Sequence, residues 1–242
     1  MPVVMYHSIS TGRSGDYVVP VSKFEEDVRE LTEAGYRTIS GAELLAYLDG
    51  KGSLPPKPVM IVFDDGHYNN ILYGEPILKK YGARAIINVV GKFTDNTEIV
   101  MSKSHAPTYL AWEHIRNINR DVWEVGSHSY DMHKYRPRFG CGRKAGESDE
   151  EYRAALRADN DIMVQKLHMA GVDTCLFAFP FGKVTETAKQ VLSGAGYKIL
   201  FSCHEKVNIL PAPNEGAPYI MLGRFNRRGA YSVATLMSKL EK

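Results

Sequence analysis

Two adjacent carboxylates end an apolar run in this sequence, and their position suggests chemistry rather than packing. Residues 58–63 read Pro-Val-Met-Ile-Val-Phe, which is typical of a buried parallel strand, and Asp64, Asp65 and Gly66 follow directly. Successive strand residues point to opposite faces, so both carboxylates can reach one site only where the chain bends, and glycine permits that bend. The pair fits a metal ligand beside a general base. A helix N-cap or an Asx turn is the alternative that the pair alone leaves open.

Two histidines follow another apolar run. His128 and His133 stand in Gly-Ser-His-Ser-Tyr-Asp-Met-His, just after a predicted strand at residues 122–126. A separation of five residues aligns two side chains neither on a helix nor along a strand, so the rings can converge only in a turn. A lone histidine is more often a core or surface residue than a ligand. Two imidazoles with one carboxylate, however, form the usual catalytic zinc or iron arrangement.

The elements that must position these residues alternate between strands and helices about seven times along the chain. Alternation of this kind predicts a parallel α/β fold, and no repeat or linker divides the chain, so we expect a single domain over residues 1–242. In a (β/α) barrel the active-site residues lie at the carboxyl ends of the strands. The candidate residues should therefore all follow strand ends.

Two segments lack an apolar pattern. Residues 91–107 are polar, and we expect them to be irregular and to form part of a substrate rim. Residues 134–148 carry five Lys or Arg residues and three glycines, which predicts an exposed loop, solvated rather than ligand-binding.

Composition excludes several classes of function. The 242 residues are 44% hydrophobic and 24% charged, with a formal net charge of +2, which suits a packed domain and gives no reason to expect a nucleic-acid partner. No apolar run reaches the roughly 18–20 residues that cross a bilayer. The three cysteines form no CxxC pattern, which argues against a disulfide framework or a cysteine zinc site.

The segment Phe63–Gly66, taken together with His128 and His133, resembles the NodB-homology polysaccharide deacetylases, carbohydrate esterase family 4. The resemblance implies a distorted (β/α)7-type barrel. It also implies that Asp65, His128 and His133 bind one divalent metal, zinc first, with cobalt, nickel or iron as alternatives, and that Asp64 is the catalytic base. Four residues separate the histidines, as in the branch that acts on poly-N-acetylglucosamine, whereas three are commoner in the family.

A third motif, Phe179-Pro-Phe-Gly182, resembles the Pro-Tyr-Gly segment of the family. The resemblance makes the backbone amide of Phe181 a catalytic oxyanion donor. The alternative is a proline that ends a strand before an ordinary turn. We further expect Tyr6, Phe179 and Phe181 to form an apolar floor for the acetyl methyl group.

The sequence also departs from the family pattern. Val62 stands where Thr or Ser is usual, and Ala178 stands where an arginine normally steadies the base. Arg224 is a candidate for the missing arginine and is assigned with the substrate-binding residues. The C-terminal Leu-x-His that supplies the general acid is absent, and His7, in an N-terminal Tyr-His as in the poly-N-acetylglucosamine branch, is the candidate acid.

These residues predict a metal-dependent hydrolase that removes N-acetyl groups from N-acetylglucosamine units of a cell-wall or biofilm polysaccharide. An acetyl-xylan-type O-acetyl esterase and a catalytically silent carbohydrate-binding relative are the alternatives, with a cytoplasmic amidohydrolase acting on small molecules as a third. We expect a monomer with a polysaccharide or oligosaccharide substrate and no membrane span. We also expect an extracellular or cell-envelope location, reached through an export segment upstream of this sequence.

Overall fold

The computed structural model of the chain describes residues 1–101 and 108–240. Its strands are β1 (Val3–Tyr6), β2 (Ser8–Ser10), β3 (Val18–Pro20), β4 (Arg37–Thr38), β5 (Pro58–Phe63), β6 (Ala85–Val89), β7 (Trp123–Ser127), β8 (Leu176–Ala178), β9 (Ile199–Phe201), β10 (Ile220–Leu222) and β11 (Phe225–Asn226). Its helices are α1 (Val21–Glu33), α2 (Gly41–Leu48), α3 (Glu75–Lys80), α4 (Gly91–Met101), α5 (Trp112–Arg116), α6 (Asp149–Met169), α7 (Glu186–Gly194) and α8 (Val233–Leu240). No helix in the described part of the chain is both long enough and apolar enough to cross a bilayer.

Nine of the described strands form one parallel sheet in the order β10-β9-β8-β7-β6-β5-β1-β11, with β4 paired to the start of β5. Strands β2 and β3 form a separate parallel pair. The strands at the two ends of the sheet, β10 and β11, are consecutive in the chain and are separated only by Gly223 and Arg224. The sheet therefore curls so that its ends approach each other, in agreement with the predicted barrel-type α/β fold.

Both faces of the central strand β5 are buried, which explains its continuous apolar run. Ile61 and Phe63 pack in the cluster that includes residues of α1. Met60 and Val62 point to the opposite face, where they pack with residues of β6, β8 and β9. Because side chains alternate along a strand, Asp64 continues the face of Met60 and Val62 at the carboxyl end of the strand.

The prediction that residues 91–107 are irregular is wrong for residues 91–101, which form α4. The helix forms despite its polar composition because contacts with other parts of the chain hold it in place. Asp95 on this helix accepts hydrogen bonds from Trp112 Nε1 at 2.7 Å, from the Tyr130 hydroxyl at 2.9 Å and from Lys166 Nζ at 2.9 Å. Residues 102–107 lie outside the described residues.

A buried ion pair fastens β1 and β11 to the helix α1. The Nε and Nη2 of Arg227 donate to the two carboxylate oxygens of Asp27 at 2.7 and 2.9 Å, and both side chains are fully buried. The hydroxyl of Tyr6, at the end of β1, donates to the same carboxylate at 3.0 Å. Tyr6 also stacks on Phe63 at 5.1 Å between ring centroids. This network fixes the ends of β1 and β5, from which the polar residues described below emerge.

Asp27→Ala should lower the free energy of unfolding by about 3–5 kcal/mol, because it leaves the guanidinium of Arg227 buried without its carboxylate. Tyr6→Phe removes one hydrogen bond to a charged group and should cost only about 1.5–3 kcal/mol. Urea denaturation followed by circular dichroism measures both changes. Asp49→Ala, at an exposed ion pair with Lys51, is the control and should change stability little. Equal effects of the substitutions at Asp27 and Asp49 would contradict the role of the buried pair.

Candidate metal centre and active site

Polar side chains follow the carboxyl ends of several strands of the sheet. His7 follows β1, Asp64 and Asp65 follow β5, and His128 follows β7. Phe181 lies in a 3-10 turn, Pro180–Gly182, that comes shortly after β8. The carboxyl ends of parallel strands meet at one edge of the sheet, which is where a (β/α) barrel carries its active site.

Asp65, His128 and His133 each bring one potential ligand atom to within 4.8 Å of the other two. The Oδ1 of Asp65 lies 3.1 Å from Nε2 of His133 and 3.6 Å from Nε2 of His128. Within the described part of the chain, this buried oxygen has no well-aligned hydrogen-bond donor. Two imidazole nitrogens and one carboxylate oxygen that converge without being satisfied by one another fit a divalent ion such as zinc.

The bend expected after β5 is present. Asp65 and Gly66 both adopt left-handed backbone angles, with φ of 70° and 72°. At Gly66 a Cβ would also approach Val89 Cγ1 to 3.0 Å, so glycine is required there. The bend turns both carboxylates toward one imidazole, because Nε2 of His128 lies 4.0 Å from Oδ2 of Asp64 and 3.6 Å from Asp65.

The ring of His128 is held by a backbone carbonyl. Its Nδ1 lies 2.8 Å from the carbonyl oxygen of Ala178, which can accept a hydrogen bond only if Nδ1 carries the proton. Nε2 is then free to act as a metal ligand, as in most histidine metal sites. Burial lowers the pKa of His128 more than Asp64 and Asp65 raise it, so the neutral ring that a metal requires is favoured.

A carboxylate on helix α6 holds the loop between the two histidines. The oxygens of Asp159 accept the backbone N–H groups of Tyr130 at 2.9 Å and Asp131 at 2.8 Å. Ser129 contributes a left-handed turn, with φ of 71°, and its hydroxyl accepts the N–H of Met132 at 3.1 Å. These contacts explain how histidines five residues apart reach one site. Nothing local in the sequence identifies Asp159, which is one of several acids on an amphipathic helix.

Asp64 is held by two donors on the same oxygen. Arg224 Nη1 and Asn88 Nδ2 each lie 2.8 Å from Oδ1 of Asp64, which leaves Oδ2 directed toward His128. Burial opposes ionisation of Asp64, but the guanidinium of Arg224 outweighs it and holds the pKa of this carboxyl well below its usual range. The carboxylate is therefore ionised and fixed in place, with one oxygen available.

The support from Asn88 depends on a glycine in the next strand. Asn88 on β6 is paired in register with Gly126 on β7. A Cβ at Gly126 would lie 2.1 Å from Oδ1 of Asn88, far inside any allowed contact. Asn88 is the one amide in the apolar run of β6, and Gly126 stands in the next predicted strand. These two residues were the signal in the sequence for this contact.

His7 lies within electrostatic reach of both carboxylates. Burial lowers its pKa, while the negative charges of Asp64 and Asp65 act in the opposite direction. Its ring packs edge-on against Tyr17, with 4.7 Å between centroids. The structure thus brings the N-terminal histidine to the same edge as the candidate base.

The remaining candidates divide into two groups. Phe181 has a left-handed backbone, φ 56° and ψ 17°, and its ring lies 4.4 Å from that of His133, so it borders the centre. The side chains of Tyr6, Phe179 and Arg224 are fully buried, so the structure does not present them to a ligand. Arg224 instead contacts Asp64, which is the position expected of the arginine that is missing at residue 178.

His67 is a neighbour of the centre that the sequence analysis did not single out. Its Nε2 lies 3.7 Å from Oδ2 of Asp65, and its ring stacks on Tyr109 at 4.8 Å. Burial opposes ionisation of Asp65, but contacts with His133 and His67 outweigh it and keep the pKa of Asp65 well below its usual range. Its position two residues after Asp65 in the sequence could have indicated that His67 lies near the centre.

Comparison with known proteins identifies one family and several relatives, two of which follow. A family model described as polysaccharide deacetylase matches residues 51–200. YxkH of Bacillus subtilis (strain 168), which carries the description polysaccharide deacetylase, is 26% identical over 199 residues, and the poly-beta-1,6-N-acetyl-D-glucosamine N-deacetylase of Escherichia coli (strain K12) is 25% identical over 210. These alignments cover 82% and 76% of this chain but 63% and 30% of the two relatives, so the chain spans less than two thirds of either.

The fold is similar to that of a solved de-N-acetylase from Aggregatibacter actinomycetemcomitans. The TM-score is 0.81 at 20% sequence identity, and the match covers 99% of each chain. This likeness confirms the predicted class of α/β barrel.

Asp159→Ala should weaken binding of Zn²⁺ by about 10-fold to 100-fold, because the loop between His128 and His133 loses both of its anchors on α6. Calorimetric titration of the metal-free protein measures the affinity. Asp173→Ala removes an acid that is 93% exposed and should leave the affinity unchanged. The role of Asp159 is contradicted if its variant binds Zn²⁺ as tightly as the Asp173 variant.

Proposed function

We infer the function from one premise, which is that this chain belongs to the polysaccharide deacetylase family. We propose that residues 1–242 form one deacetylase domain that removes N-acetyl groups from N-acetylglucosamine units of a cell-wall or biofilm polysaccharide. The observation that carries the proposal is the position of Asp64, held by Arg224 with one oxygen facing the cluster of Asp65, His128 and His133.

The three residues Asp65, His128 and His133 would hold one divalent metal, zinc in the first place, with cobalt, nickel or iron as alternatives. The fixed tautomer of His128 and the unsatisfied, ionised carboxylate of Asp65 both support this assignment. A bound metal would polarise the acetyl carbonyl and lower the pKa of a water molecule.

Asp64 acts as the general base. It accepts a proton from the water whose oxygen bonds to the acetyl carbon, and its fixed position beside the centre supports this role. Negative charge develops on the acetyl oxygen as the bond forms. The N–H of Phe181 is the donor that we assign to that charge, and its left-handed turn next to His133 supports the assignment.

His7 acts as the general acid. Protonated, it gives its proton to the nitrogen as the C–N bond breaks, which releases acetate and leaves an amine on the sugar. The position of His7 at the end of β1, on the same edge of the sheet as Asp64 and Asp65, supports this role. Burial lowers the pKa of His7, so its ring gives up a proton readily, while the two carboxylates partly offset that shift. The buried Arg224 and Tyr6 serve as positioning residues, and the ring of Phe181 is the part of the apolar floor that borders the centre.

Poly-N-acetylglucosamine is the polymer that we propose as substrate. The four residues between His128 and His133 and the name of the Escherichia coli relative both support it. Such a polymer lies outside the cytoplasm, so we propose that the protein acts there, as a monomer.

The rival activity is an O-acetyl esterase, which would use the same groups on an ester. Release of acetate from β-1,6-linked N-acetylglucosamine oligomers, chitin oligomers and acetylated xylan separates the two activities. We expect release from an amino-sugar substrate in a metal-dependent manner. Release from xylan alone would overturn the proposal, and failure to bind any divalent metal would favour the silent carbohydrate-binding relative.

Asp64→Asn should lower kcat for acetate release by at least about 100-fold, because the amide cannot accept the proton of the attacking water. Binding of Zn²⁺ should persist, since the three ligands are intact. Asp161→Asn, at an exposed position of α6, is the matched control and should leave kcat unchanged. Full activity of the Asp64 variant would show that another group is the base.

His7→Ala should slow the hydrolysis of the acetamide much more than that of p-nitrophenyl acetate, because a nitrophenolate leaves without being protonated while an amine does not. The ratio of the two kcat values, at unchanged metal content, measures the effect. His204→Ala, at an exposed histidine beyond β9, provides the comparison. If only the His204 variant loses the acetamide activity, the acid is His204.

A further inference from the structure

The loop at residues 134–148 is irregular and mostly exposed, as predicted, but internal contacts give it an ordered conformation that the prediction did not include. Arg138 on this loop is 5% exposed, and it donates to the carbonyl of Gly142 at 2.6 Å and to the carboxylate of Glu147 at 3.0 Å. The N–H of Gly140 closes the loop on the carbonyl of Lys134 at 3.1 Å. A buried ion pair and a backbone bond within one short segment make its conformation well defined.

This folded loop nevertheless exposes two large rings. Tyr135 is 71% exposed and Phe139 is 43% exposed, although they lie three residues before and one residue after the buried Arg138. Because the loop is ordered, local disorder does not account for the exposure of these two rings to water. Exposed apolar surface on an ordered part of a protein often marks a binding site.

The two rings are packed into a platform with Phe181. The ring of Phe139 lies nearly parallel to that of Phe181, at 9° and 5.0 Å between centroids, and Tyr135 stacks on Phe181 at 25° and 4.6 Å. Tyr135 and Phe139 are themselves 5.7 Å apart at 24°. Nearly parallel rings this close overlap face to face, so the three rings form one stacked apolar cluster, which we call the aromatic platform. Its solvent-facing part is formed by the exposed rings of Tyr135 and Phe139.

The aromatic platform is continuous with the candidate metal centre. Phe181 is its inner member and lies 4.4 Å from the ring of His133. A Cβ at Gly140 would come within 2.6 Å of the carbonyl of Pro180, so the loop packs directly on the turn that carries Phe181. A polymer bound at the centre would therefore have this apolar cluster directly beside it.

We propose that Tyr135, Phe139 and Phe181 bind the sugar residue next to the one that is deacetylated. The proposal rests on the proposed function, since it takes an amino-sugar polymer as the occupant. The carbon-bound hydrogens on one face of a pyranose ring carry slight positive charge, and they pack against the negative face of an aromatic ring. A sugar next to the reacting residue would lie beside the platform, where the exposed rings of Tyr135 and Phe139 are available to pack against its face.

The test compares Tyr135→Ala, Phe139→Ala and the double variant with the unaltered protein. The substrates are a β-1,6-linked N-acetylglucosamine tetramer and p-nitrophenyl acetate, which carries no second sugar. For the double variant we expect KM for the tetramer to rise about 10-fold with kcat nearly unchanged, because binding to the platform stabilises the ground state and the transition state alike. The constants for p-nitrophenyl acetate and the content of Zn²⁺ should not change.

Met169→Ala is the control, because Met169 is 70% exposed and lies at the end of α6, away from the strand ends that carry the centre. An unchanged KM for the tetramer in the double variant would overturn the platform. So would an equal loss with both substrates, which would indicate a structural defect. Loss of binding to phosphatidylglycerol vesicles with unchanged tetramer kinetics would also overturn it and assign the rings to a membrane.

A binding measurement separates this inference from the proposed function. Calorimetric titration of the tetramer into the Asp64→Asn protein, with and without the two ring substitutions, requires no turnover. Binding that weakens about 10-fold without the rings supports the platform, even if the unaltered protein releases no acetate from any glycan. Acetate release together with ring-independent binding would leave the proposed function standing and refute the platform.

Discussion

The contact between Arg224 and Asp64 is the interaction on which the site depends. An ion pair this deeply buried recovers its desolvation cost only if its geometry is good and its remaining groups are satisfied. Arg224 meets that condition, because its Nε donates to the carbonyl of Ser202 while Nη1 binds Asp64. It stands between β10 and β11, the two ends of the curled sheet, and reaches the end of the central strand β5. One side chain thus links closure of the sheet to the position of Asp64, the proposed base.

The second constraint is in the backbone. Three non-glycine residues that border the centre, Asp65, Ser129 and Phe181, have left-handed backbone angles. Such angles are costly for residues with a Cβ and persist only where the surroundings enforce them. Each of these turns changes the direction of one group. They affect the carboxylate of Asp65, the loop that leads to His133 and the backbone N–H of Phe181. The centre is built from three tight turns on a rigid sheet.

What the sequence could predict was local. The strand at residues 58–63, the carboxylates after it and the two histidines were placed correctly at strand ends, because periodicity and spacing are properties of short segments. The contacts that support them join distant parts of the chain. Asp64 and Arg224 are 160 residues apart, and Asp159 binds a loop 28 and 29 residues earlier. The helix at residues 91–101 was missed because contacts of Asp95 with distant residues hold it. The order of the loop at 134–148 was missed because composition alone does not show that Arg138 pairs with Glu147 of the same segment.

The close approach of Gly126 to Asn88 identifies two further positions to compare when the sequence of a relative is examined. Any side chain at position 126 would displace the amide that steadies Asp64, while both aspartates and both histidines remained unchanged in the sequence. A protein could therefore keep every recognisable motif of the family and still have lost a correctly held base. The pair formed by this glycine and this asparagine, which no motif contains, offers a criterion for separating working enzymes from inactive descendants.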